Sequence, residues 1–190
     1  PDGLPVRSPD TLQMELYVMA KMLHSAVVDA DRLDTEAYLS PQRAAQRGQY
    51  PPLSVLWPRY EAYMQRFAAD SPINALRADI RAQCLQAAEA PQGFFSLTVP
   101  TGGGKTLSSL GFALRHAQKW QHVRRVIYAI PFTSIVEQNA WVFREALGPD
   151  AVLEHHSAVA QPQEGTPAEM ATENWDAPVI VTTNVQLFES

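Results

Sequence analysis

A single cysteine, Cys84, stands in 190 residues, so no internal disulfide can form. A lone thiol accords with a reducing, cytoplasmic setting, and its expected role is that of a small apolar residue on a helix. Clusters of Cys and His at metal-site spacing are absent too. Long apolar runs are missing: none approaches the roughly 20 residues that cross a bilayer, so no membrane span is expected. The opening "PDGLPVRSPD" has neither a basic n-region nor an apolar h-region, so no signal peptide is read. It also lacks an initiator Met, which suggests a processed or partial chain. Basic charge is scarce, with 15 Lys and Arg against 20 Asp and Glu for a net −5. A protein that coats duplex DNA without specificity is normally basic. Any nucleic acid held here must be gripped by a local groove and by backbone amides. There is no internal repeat and no low-complexity tract.

What is present suffices for a core: 46% of the residues are apolar. From Ser8-Pro9-Asp10 a helical pattern runs to about Tyr38, with Leu12, Leu16, Met19, Leu23 and Val27 on one stripe. Residues 40–54, "SPQRAAQRGQYPPLS", read as a loop, and a short helix is expected around "EAYMQRFAA". In "DSPINALRADIRAQCLQAAEA", Ser71 caps a helix, Pro72 fills its first turn, and Ile73, Leu76, Ile80 and Leu85 form the expected buried face. The rhythm then changes. "FFSLTV", "RVIYAI", "AVLEH" and "PVIVTT" read as short buried strands, separated by helices over about 105–121 and 134–147 and by a loose loop, "AVAQPQEGTPAEMATENWDA". Strands alternating with helices predict an α/β fold with a mostly parallel sheet covered on both faces, preceded by an all-α segment. The join between two domains is expected within 40–72.

"TVPTGGGKTL", residues 98–107, carries the chemistry. Strand, glycine turn and helix make up the setting of a phosphate-binding loop. Gly102, Gly103 and Gly104 can take the positive φ such a turn needs, and they let backbone N–H groups converge on an anion. Thr101 opens the cradle. The helix from Lys105 adds its positive end, Lys105 would reach the β- and γ-phosphates of ATP, and the Thr106 hydroxyl would bind Mg²⁺. Val99 stands where the strict pattern has its first glycine. Two strand ends lie downstream. Pro131, Phe132 and Thr133 precede a helix that contains Gln138, and Thr182 and Thr183 precede another. The C-terminal strand ends of a parallel sheet share the edge where ligands bind. Hydroxyls and helix N-termini there suit phosphodiester oxygens, although Thr133 and Thr183 could each be an ordinary N-cap. His155 and His156 are adjacent in an extended segment, so they point apart and do not chelate one metal. We read His156 as part of a strand-end turn facing nucleic acid, with a plain surface pair as the competing assignment. Trp120 and Trp175 read as packing residues.

"LTVPTGGGKTLSSLGFALRHA", "YAIPFTSIVEQNA", "LEHHSA" and "VIVTTNVQLFES" together resemble the CRISPR-associated helicase–nuclease, the DNA-degrading effector of type I systems. "PTGGGKT" is typical of superfamily 2 helicases, and "HSAVVDADRLDTEAYL" resembles the last motif of the family's N-terminal HD nuclease domain. The resemblance implies that residues 71–190 form the first part of a RecA-like lobe and residues 1–70 the end of the HD domain plus a linker. It implies a single-stranded DNA substrate, 3′ to 5′ translocation driven by ATP and Mg²⁺, and recruitment by a guide-RNA surveillance complex. It also implies a divalent transition metal at the HD site, with Asp31, or alternatively Asp29, as one ligand. The other ligands of that site are not recognisable: ahead of Asp31 there is only His24, and no His-Asp dipeptide occurs. The sequence ends at Ser190 before an acidic box, so the isolated chain is expected to bind nucleotide weakly and neither to hydrolyse ATP nor to cut DNA at family-like rates. Two other functions compete: a P-loop ATPase or kinase with no DNA, and a non-enzymatic truncated module.

Overall fold

A computed structural model describes residues 9–45, 47–68, 70–157 and 175–189. The chain divides into two compact units, Pro1–Arg47 and Gly48–Ser190. In the first, α1 spans Pro9–Leu39, with Asp10 in its first turn complementing the positive helix end. No residue of α1 is buried, and the stripe of Leu12, Leu16, Met19, Leu23 and Val27 faces solvent. A one-turn helix, α2 (Pro41–Ala44), follows within the stretch expected to be a loop. Arg47 then forks back onto Glu36, with Nε and Nη2 each donating to a carboxylate oxygen at 2.7 Å.

The second unit contains α3 (Leu53–Met64), α4 (Pro72–Ala87), α5 (Lys105–Lys119), β1 (Val126–Ile130), α6 (Thr133–Leu147), a 3₁₀ turn (Pro149–Ala151), β2 (Val152–His155), β3 (Val179–Thr183) and α7 (Asn184–Glu189). The three strands form a parallel sheet in the order β1-β3-β2. Val126 pairs with Val179 and Ile130 with Thr183, so the C-terminal ends of β1 and β3 lie level. The fold class is α/β, as the alternation of strands and helices predicts.

Strand alternation decides what the sheet buries. Val179 and Val181 of β3 join Val152 in a core with Leu56 and Tyr60 of α3, Leu110 and Leu114 of α5, and Val136, Ala140, Phe143 and Leu147 of α6. The opposite face is covered at β3, where Ile180 and Thr182 are buried, but not at β1, where Ile127, the register partner of Ile180, is 45% exposed. The expected cover on both faces therefore holds only in part among the described residues.

Three local expectations are corrected. The helix placed around 61–69 lies upstream, at Leu53–Met64: Pro52 is its N-cap, and the chain accepts Pro58 in its interior. A proline there removes one helical hydrogen bond, and the full burial of Leu56 and Tyr60 on either side offsets it. In α4 the buried positions are Ile80 and Cys84, with Ala88 as C-cap, whereas Ile73 and Leu76 are each 45% exposed. The spacing of four from Ile80 through Cys84 to Ala88 is one helix face, and it includes the cysteine. Finally, "FFSLTV" forms no strand and joins no ladder among the described residues, and Phe94 is fully exposed. A strand needs an adjacent strand to pair with, and here the sheet places none beside it.

Candidate nucleotide and nucleic-acid interface

Six residues, 120–125, link the end of α5 to the start of β1. Such a short link folds α5 back antiparallel to the strand. Near the other end of α5, the Tyr128 hydroxyl donates to Ser109 Oγ at 3.2 Å. Burial pushes the Tyr128 phenol far up, so it remains a donor. This contact sets the first turns of α5 beside the middle of β1, where Tyr128 pairs with Val181 of β3.

The loop has the conformation that its glycines permit. Gly102 and Gly104 sit at φ 83° and 81°, the left-handed region that side chains disfavour. Gly103 N–H donates to Pro100 O at 3.0 Å, closing a tight turn. A Cβ on buried Gly103 would collide with the Val99 side chain and lie 3.1 Å from Pro100 O. Gly104 caps α5 without a side chain, and the first helical bond runs from Ser108 N to Gly104 O at 3.0 Å. The amides of Gly104, Lys105, Thr106 and Leu107 thus have no acceptor within the helix. Thr101 and Lys105 are exposed and Thr106 half-buried. Left-handed glycines, an open helix N-terminus and an exposed lysine are together chemically compatible with a phosphate anion.

The strand-end residues divide into two groups. Pro131, Phe132 and Gln138 are exposed and Thr133 half-buried. Phe132 is the N-cap of α6, and its carbonyl accepts from Ile135 N at 3.1 Å and Val136 N at 3.0 Å. Thr133 is therefore the first helical residue and not a cap, and the amides of Thr133 and Ser134 have no acceptor within the helix. Thr183 does act as a cap: Gln186 N donates to its Oγ1 at 3.2 Å. Thr182 and His156 are corrected as surface contacts. Thr182 is fully buried and donates its hydroxyl to His155 O at 2.7 Å, tying β3 to β2. His156 is 3% exposed, with Nε2 3.0 Å from Glu154 Oε1. Alternation along an extended segment turns one of two adjacent residues inward, and here His156 is the inward one.

His155 is held by Trp175, whose indole N–H donates to Nδ1 at 2.8 Å. Burial, then the neighbouring His156, lowers the His155 pKa and favours the neutral ring that can accept this bond. Trp175 has φ 51°, unusual for a side chain of its size, and the indole–imidazole bond is an observed partner for that conformation. Glu137, Glu154 and His156 bring three ligand atoms within 4.8 Å of one another. However, Arg144 Nη1 already donates to Glu154 Oε2 at 2.7 Å. Burial alone would raise the Glu154 pKa, but the bonds from Arg144 and His156 outweigh it and hold the carboxyl below its ordinary range. The guanidinium of Arg144 thus already supplies a countercharge to one oxygen of that carboxylate. Asp31 is exposed on α1 and Asp29 half-buried, and among the described residues neither belongs to a group of three metal-binding side chains.

Sequence reasoning missed Arg77. Its Nε donates to Gly102 O at 2.9 Å, across 25 positions. No local pattern joins a residue on α4 to a loop so far along the chain.

No protein-family model matches the chain. In sequence it is similar to the CRISPR-associated nuclease/helicase Cas3 of Haloferax volcanii, 33% identical over 119 aligned residues. The match takes in 50% of this chain, which covers 13% of that curated relative. The resemblance carried by the motifs and the one found by comparison agree. No helix among the described residues is long and apolar enough to cross a membrane.

Proposed function

We propose that this chain is part of a CRISPR-associated helicase–nuclease. Residues 71–190 form the first part of its RecA-like motor lobe, and residues 1–70 the end of its HD nuclease domain and a linker. Within that division α3 belongs to the linker, and it packs into one core with α5 and α6. One observation carries the nucleotide part of the reading. The loop has left-handed Gly102 and Gly104, a side-chain-free cap and exposed Lys105, a shape that suits the phosphates of ATP.

In this reading Thr101, Gly102, Gly103 and Gly104 cradle the phosphates, Lys105 neutralises the β- and γ-oxygens, and Thr106 holds Mg²⁺. Hydrolysis drives movement along single-stranded DNA, whose backbone meets the open first turn of α6 at Pro131, Phe132, Thr133 and Gln138 and the turn at Thr183. The whole protein acts in the cytoplasm after recruitment by a guide-RNA surveillance complex. Asp31 would contribute to the HD metal site only with ligands from outside the described residues, so no cleavage step is derived from it.

Titration of the 190-residue chain with a fluorescent ATP analogue and Mg²⁺ tests the nucleotide assignment. Lys105→Ala should weaken binding at least about tenfold, since a charge-assisted contact to phosphate is lost. Anisotropy of a labelled single-stranded oligonucleotide tests the DNA assignment, with Thr133→Ala expected to weaken binding. Nucleotide affinity indifferent to DNA, together with an unaffected Thr133→Ala, would favour a P-loop ATPase or kinase. Absence of any nucleotide binding would favour a non-enzymatic module.

A further inference from the structure

We propose that Arg77 is a positioning residue for the phosphate loop, an inference that rests on the nucleotide reading above. The peptide unit between Gly102 and Gly103 is held at both ends. Its carbonyl accepts from Arg77 Nε at 2.9 Å, and its N–H donates to Pro100 O at 3.0 Å. Because a peptide is planar, holding those two atoms restrains the whole unit and narrows the directions in which the next amides leave. Those next amides, from Gly104 onward, are the ones without helical acceptors. Arg77 thus restrains where the loop presents its donors before any anion arrives.

Two further contacts make the position of Arg77 specific. Its Nη1 donates to Asn74 Oδ1 at 3.3 Å, and Asn74 Nδ2 donates to Asp70 Oδ1 at 3.0 Å. Asn74 N is in turn capped by Ser71 Oγ at 3.3 Å. The start of α4 therefore serves as a rigid post for the guanidinium. The aliphatic stem of Arg77 lies against the third glycine: a Cβ on Gly104 would sit 3.3 Å from Arg77 Cγ. The guanidinium carries five N–H groups in a fixed plane, so it can hold two acceptors in different directions, which an ammonium on a flexible stem does poorly. Its positive charge at the loop also raises the preference of the loop for a polyanion.

The test uses the 190-residue chain, a fluorescent ATP analogue with Mg²⁺, and inorganic tripolyphosphate as a competitor that carries no base or ribose. Arg77→Ala should raise the Kd for both ligands by about tenfold, the size expected for losing a charge-assisted contact. Its Tm should stay near that of the wild type, because Arg77 is exposed. Arg77→Lys should recover only part of the loss, since charge remains but the fork does not. Asn74→Ala, which leaves the charge in place and removes its post, should also weaken binding and gives a second reading should Arg77→Ala fold poorly. Wild-type affinity in all three variants, with Lys105→Ala defective, would overturn this inference alone. Full rescue by Arg77→Lys would reduce the role to charge and overturn positioning. Failure of the wild-type chain to bind either ligand would overturn both this inference and the nucleotide reading.

Discussion

At the scale of single residues, Thr182 shows how a polar group at a strand end can be structural. Its hydroxyl is fully buried and satisfies the His155 carbonyl across the β2–β3 pair. Thr182→Val preserves shape but leaves that carbonyl without its partner, so a loss of about 1–3 kcal/mol is expected. Urea denaturation should show it as a lower midpoint with an unchanged m-value, and oligonucleotide binding should be unaffected. From the sequence, Thr182 and Thr183 were equivalent candidates for backbone contact. The two-residue period of a strand separates them, but which of the pair faces inward depends on the sheet's neighbours, and the sequence of β3 alone does not reveal these. The glycine loop is the opposite case: left-handed backbone and an uncapped helix start follow from local chemistry, so Gly102, Gly104 and Lys105 were legible. Arg77 was not, because its contact joins α4 to a loop 25 residues further along the chain.

At the scale of elements, the helices built on local signals fall where the sequence puts them. α5 begins at Lys105 after the last glycine, and α6 begins one residue after Phe132. α3 and the 94–99 segment differ because tertiary partners decide them. Burial of Tyr60 holds a helix across Pro58, and the lack of an adjacent strand among the described residues leaves an apolar run unpaired. The contact between α3 and α5 also reverses a familiar substitution. Gly111→Ala in a helix interior ordinarily adds about 1 kcal/mol of stability. Here the new methyl would meet the Tyr60 ring, 2.7 Å from Cζ. That ring is fully buried, its hydroxyl donating to Leu107 O at 3.0 Å and accepting from Arg81 Nε at 3.1 Å. It cannot swing aside without losing both bonds, and overpacking costs about 1–3 kcal/mol. The clash outweighs the propensity, so Gly111→Ala should lower the Tm.

At the scale of the whole molecule, the buried core among the described residues is drawn from residues 56–181, while α1 buries none of its side chains. A chain restricted to residues 48–190 should therefore unfold cooperatively, with a urea midpoint close to that of the 190-residue chain. A broad transition without a baseline would show that the second unit depends on the first. The same truncation bears on assignment: nucleotide binding retained by 48–190 would place the phosphate loop's requirements within that unit.

The unpaired ribbon at 94–99 has a further consequence in solution. Phe94, Phe95 and Leu97 stand exposed on a segment whose amides and carbonyls meet no ladder among the described residues. Such a segment is a template on which strands of neighbouring molecules can stack. A charged residue placed at Phe94, which is fully exposed, should therefore reduce self-association at high concentration, read by light scattering.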